Sequence, residues 1–151
     1  MTTLSNLTYI PFDESVFNPL IAFPLPADAD LFETADHCAA LVIVLIETDD
    51  TATCTALRER LLHSLRQLRE LCDADLPPHL IAQLIAGEKI TSCVPECWQE
   101  TALQVDYALA LTQVLLAGTL PLGVAKELTG LLHDMVWLLA DFVKEPYITA
   151  H

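Results

Sequence analysis

Hydrophobic periodicity, proline placement and helix stop signals agree in predicting an all-α protein. The expected architecture is an antiparallel bundle of about five helices with an extended, proline-rich, apolar N-terminal arm. All nine prolines fall between periodic segments, where their missing N–H and fixed φ mark element boundaries. The apolar run from Ala39 to Ile46 is the one stretch whose composition suits a buried strand. No second convincing strand exists to pair with it, and an unpaired strand would leave its backbone groups unsatisfied.

Residues 1–27 hold Pro11, Pro19, Pro24 and Pro26, which oppose a continuous helix. Ile10, Phe12, Phe17, Leu20, Ile21, Phe23 and Leu25 make the same stretch too apolar for a linker. We read it as an extended arm, with one helical turn after Asp13, that packs on its own bundle or on a neighbouring subunit. Residues 28–151 then form a single helical domain.

The first helix is expected from about Asp28 to Glu47, with Asp28 or Asp30 as N-cap and acids in its first turns. Its second half is apolar on every side, which predicts a central position. The second helix runs from about Thr51 to Cys72. Cys54, Leu57, Leu61, Leu65, Leu68 and Cys72 fall on one narrow stripe, while Glu59, His63 and Glu70 point away. A short third helix is expected over Pro78–Ala86, opened by proline and stopped at Gly87. Pro95 opens the fourth, which ends at Gly118, and Pro121 opens the fifth, which continues to about Lys144.

Charge sets the first limits on function. The chain has 7 Lys+Arg against 21 Asp+Glu, a formal charge of −14, and no Lys or Arg precedes Arg58. Binding nucleic acid requires a basic face to displace counterions, so no direct nucleic-acid contact is expected. Adhesion to an anionic membrane is disfavoured for the same reason. The longest apolar run, Cys38 to Ile46, is nine residues, against the roughly 20 that a membrane span requires. Met1 to Thr8 lacks the basic and apolar regions of a signal peptide. These observations predict a cytoplasmic protein. Its five cysteines (Cys38, Cys54, Cys72, Cys93, Cys97) are an odd number, and we read them as reduced, mostly buried thiols.

Chemistry-bearing motifs are few. Cys93-Val-Pro-Glu-Cys97 has no second Cys or His pair at matching spacing, so no metal or cofactor is expected there. Arg58, Arg60, Arg66 and Arg69 could form an anion clamp, but Arg60 points roughly opposite the other three, and the cluster is read instead as long stems beside the apolar stripe whose charges reach water or neighbouring carboxylates. There is no Gly-rich phosphate loop, nucleophile elbow or His-Glu-x-x-His. Leu131-Leu-His133-Asp134 resembles the central His-Asp dyad of HD-type metal phosphohydrolases. That resemblance covers four residues and implies a metal-dependent hydrolase as an alternative. The family continues its motif with Ile-Gly and a distal Asp, where this chain continues with Met135-Val136-Trp137. Otherwise His133 and Asp134 are solvated residues of the fifth helix.

Two features go beyond a plain bundle. The fourth helix carries two apolar seams, one of Trp98, Ala102, Val105, Leu109 and Leu116, the other of Leu103, Tyr107, Ala110, Leu111 and Val114. A helix buried on two sides is central to its bundle or shared with another subunit, so the second seam is a candidate oligomer seam. On the fifth helix a core arc collects Val124, Leu128, Leu131, Leu132, Met135, Leu138, Leu139, Phe142 and Val143. Trp137 misses it and projects among charged residues. Gly130, His133, Trp137 and Asp141 are therefore a candidate partner-binding set, since tryptophan is enriched at binding hot spots. The competing reading is that the arm covers Trp137 through Phe17 or Phe23.

The chain is thus expected to be a non-enzymatic accessory or regulatory factor that binds another protein and forms a homodimer. An alternative is an acidic decoy that occupies the basic groove of a nucleic-acid-processing enzyme or toxin.

Overall fold

A computed structural model describes residues 20, 25–86, 92–95 and 99–149. Five helices are seen among them: α1 (Leu31–Ile46), α2 (Thr51–Asp73), α3 (Pro78–Gln83), α4 (Thr101–Ala117) and α5 (Leu122–Phe142). The all-α bundle is as expected. The arm lies outside the described residues except for Leu20, which packs against the core, and the stretch from Leu25.

Local chemistry accounts for the helix ends. Asp30 caps α1 in a full capping box: its carboxylate accepts the Glu33 amide at 2.8 Å and its own amide donates to Glu33 Oε1 at 2.9 Å. Asp50 caps α2 by accepting from the Thr53 amide and hydroxyl at 2.8 and 2.6 Å. Gly118 ends α4 with φ +70°, a left-handed conformation that costs side-chain-bearing residues energy. Other boundaries differ from expectation. Glu100 is extended (φ −133°, ψ 103°), so α4 starts at Thr101 rather than at Pro95. α3 ends at Gln83 because Ile85-Ala86 turns into a two-residue strand, β1, that pairs in parallel with β2 (Ile148–Thr149). The Tyr147 amide, donating to the Leu84 carbonyl at 2.9 Å, continues this tie. Sequence periodicity cannot register a pairing this short.

The four long helices form a closed ring in the order α1–α2–α4–α5–α1. Ion pairs fix their directions. Arg69, near the end of α2, bonds Asp106 near the start of α4 at 2.9 Å, and Lys144, just past α5, bonds Asp36 near the start of α1. Neighbours therefore run antiparallel. The interior is leucine-rich: Leu57, Leu61, Leu65 and Leu68 of α2 are fully enclosed by Leu41, Val105, Leu132 and their neighbours. Dense packing of this kind supplies most of the stability of a bundle.

A ring has no central helix, which corrects the expectation for α1. Its apolar second half leaves Ile43 and Ile46 exposed at 37% and 46% because one side of every ring helix faces outward. The core stripes of α4 and α5 are also rotated from those expected. α4 buries Gln104, Val105, Ala108, Thr112 and Leu115, and α5 buries Thr129, Leu132, Val136, Leu139 and Ala140. The threonines can enter the core because Thr112 and Thr129 donate to the carbonyls of Ala108 and Ala125, each at 2.7 Å. Val124 and Leu131, assigned to the core arc by spacing, are instead exposed at 45% and 46%.

Candidate protein-docking face

Rotation of the two core stripes leaves an apolar surface where α4 and α5 meet. Tyr107, Ala110, Leu111 and Val114 of α4 face Leu131 and Met135 of α5 across a shallow, open groove of about 410 Å³. Tyr107 and Val114 are exposed at 48% and 44%, while Leu111 also packs against the core. Leu103, the remaining member of the second seam, is half-buried one turn before Tyr107. The seam is thus left uncovered among the described residues. Spacing places Leu131 and Met135 in the core arc of the fifth helix, whereas in the fold they border this seam. The available signal is the three-then-four spacing of Leu128, Leu131, Met135 and Leu138, which repeats every seven residues and forms a packing seam of its own.

The outer flank of this α5 seam is acidic. Glu127, Asp134 and Asp141 recur at seven-residue intervals and all three are exposed, so they lie in one row along the helix. α4 contributes exposed Asp106, which Arg69 engages, and exposed Gln113 to its own outer side. α4 contains no Lys or Arg, and α5 contains only Lys126.

Helical spacing puts Gly130, His133, Trp137 and Asp141 on one flank of α5, remote from the groove and bordering the acidic row, to which Asp141 also belongs. Trp137 is exposed at 48%, and its indole stacks on the His133 imidazole with ring centres 6.4 Å apart and planes 9° apart. A Cβ added at Gly130 would meet nothing within 4 Å, so this flank is open. Phe17 and Phe23, the proposed cover, lie outside the described residues. With half its surface in water, Trp137→Ala should cost less than about 1.5 kcal/mol, against about 3–5 kcal/mol for a core tryptophan. A thermal melt followed by circular dichroism checks this, and a core-sized loss would contradict the placement.

The side chains weighed for chemistry do not converge. His133 Nδ1 bonds Asp134 Oδ1 at 3.0 Å, an exposed pair of adjacent residues. Among the described residues no three His, Cys, Asp or Glu side chains are placed to hold a metal ion together. Cys93 is exposed, its amide donating to Glu145 Oε2 at 2.7 Å, and Cys97 lies outside the described residues. Burial pushes the thiols of Cys38 and Cys72 up to about 12 and about 11. Desolvation, followed by the Glu145 carboxylate, pushes Cys93 up to about 12. All three stay protonated at neutral pH, and a protonated thiol is a poor nucleophile. Of the arginines, Arg69 is neutralised within the fold, bonding Asp73 and Asp106 at 2.9 Å each.

No described helix is long and apolar enough to cross a membrane. No family model, curated protein or solved structure matches the chain.

Proposed function

We propose that this chain is a non-enzymatic accessory or regulatory factor that works by binding another protein through the α4–α5 groove. The observation that carries the reading is the continuous apolar strip of Tyr107, Ala110, Val114 and Leu131, left open to water between two helices that are otherwise well packed. Covering the exposed half of each large side chain is worth on the order of 1 kcal/mol, enough when summed to seat a partner element. The four described cysteines are free, which suits a reducing, cytoplasmic setting.

A homodimer is the second reading. A strip on two antiparallel helices can meet its own copy across a two-fold axis, and the second seam of α4 would then be the subunit contact. The acidic row beside the strip opposes this arrangement, because each copy would present the same charges.

The test is affinity purification from the native host with the wild-type chain and with Val114→Glu and Leu131→Glu. Both positions are nearly half exposed, so each variant should keep its melting temperature within a few degrees. Each should also release a partner that the wild type retains. Retention of that partner by both folded variants would place the contact elsewhere.

A further inference from the structure

We propose that the occupant of the α4–α5 groove is an amphipathic helix with basic flanks, supplied by another protein. This inference rests on the docking reading above and names the chemistry of the partner.

Three observations converge on it. The first is spacing. Tyr107, Ala110 and Val114 on α4, and Leu131, Met135 and Leu138 on α5, follow the alternating three- and four-residue steps of a helix-packing seam. Such a seam holds a third helix laid along the pair, its knobs entering the holes between theirs. The second is length. The seam runs from Leu103 to Val114 on α4 and from Leu128 to Leu138 on α5, which at 1.5 Å per residue presents an apolar track of about 15 Å, enough to seat about three turns of a docked helix.

The third is charge, and it selects among occupants. Glu127, Asp134 and Asp141 line the outer edge of the α5 seam at every second turn. A helix with Lys or Arg beside its apolar stripe meets them with opposite charge. A second copy of this chain does not: neither helix carries an Arg, and Lys126 lies on the flank with Trp137, away from the groove. Residues 1–27 do not either, since they hold Asp13 and Glu14 and no Lys or Arg. Exposed ion pairs add little individually. Apolar contact therefore supplies most of the affinity, while the acidic row steers approach and discriminates against acidic partners.

The experiment uses the full chain and three synthetic 20-residue helical peptides. One has a leucine seam with lysine flanks, the second has the same seam with glutamate flanks, and the third has the lysine composition in scrambled order. Titration calorimetry at low and moderate salt should give micromolar binding for the first peptide, weakened several-fold by salt, with at least tenfold weaker binding of the other two. Val114→Asn and Leu131→Asn should each weaken the first peptide about tenfold. The triple variant Glu127→Gln, Asp134→Asn, Asp141→Asn should do likewise and lose most of the salt dependence, with an unchanged melting curve. The inference is overturned if the glutamate-flanked or scrambled peptide binds as tightly, or if neutralising the row leaves binding unchanged. It is also overturned if the free chain sediments as a dimer that Val114→Asn dissociates. Any of these would leave the docking reading standing if Val114→Glu still releases the native partner. Loss of the docking reading would show separately, as retention of that partner.

Discussion

Truncating Leu65 to alanine is expected to remove about 2–5 kcal/mol of stability, the cost of a cavity in a well-packed core. Leu65 has no exposed surface and lies midway along α2, the helix whose leucines fill the centre of the ring. For a chain of this size each kcal/mol moves the melting temperature by roughly 2–4 °C, so a fall of about 5–15 °C should follow. Leu65→Asp should abolish folding, because a carboxylate there would be buried without a partner. Leu122→Ala is the internal control: the side chain is 79% exposed and its loss should stay within about 0.5 kcal/mol. Urea denaturation monitored at 222 nm by circular dichroism reads all three. A loss below about 1 kcal/mol for Leu65→Ala would mean that α2 is not enclosed as described.

The second large effect is expected at Asp30. Its side chain caps α1, its amide completes the capping box, and Oδ2 bonds His79 Nε2 of α3 at 3.0 Å. One residue thus holds a helix start and the nearby short helix together. Removing an N-cap acceptor costs about 0.5–2 kcal/mol, and Asp30→Ala also removes the bond to His79 of α3. Partial burial would raise this carboxyl, but hydrogen bonds from His79 and from the Glu33 and Phe32 amides outweigh it and hold it below the usual carboxylate value. Between the two values the unfolded chain binds the proton more readily, so stability rises with pH there. The contribution is complete above the ordinary carboxylate value and is lost as pH falls through the lower, folded one. Asp30→Ala should therefore flatten the acid limb of a stability–pH profile as well as lower the plateau. Asp30→Asn, which keeps a cap acceptor, should flatten the limb while retaining most of the plateau. A profile unchanged in both variants would contradict the proposed role.

Much of the fold was readable from sequence because it rests on local rules. Asp30 with Glu33 three residues on, the leucine stripe of α2 and Gly118 after α4 each state a helix boundary or face within one or two turns. Errors arose where the answer depends on what a helix packs against. The apolar arc of α5 is wider than its neighbours can cover, and spacing alone could not show that Val124 and Leu131 would be left outside. Thr112 and Thr129 look polar in a sequence but satisfy their hydroxyls on their own helix, which moves the buried stripe. The docking face was therefore half legible. The α4 seam could be identified from its residues, whereas its α5 wall emerged only once the ring was assembled.

Ring closure by the first and last long helices has a consequence for biosynthesis. Among the described residues α1 packs chiefly on α2 and α5, so the apolar stretch from Ala39 to Ile46 gains one of these neighbours early and the other only when α5 has been made. That helix follows about a hundred residues later, a delay of roughly 5–20 s at ordinary translation speeds. Throughout that interval this apolar segment of the nascent chain lacks the cover that α5 supplies, and it is open to non-native contacts.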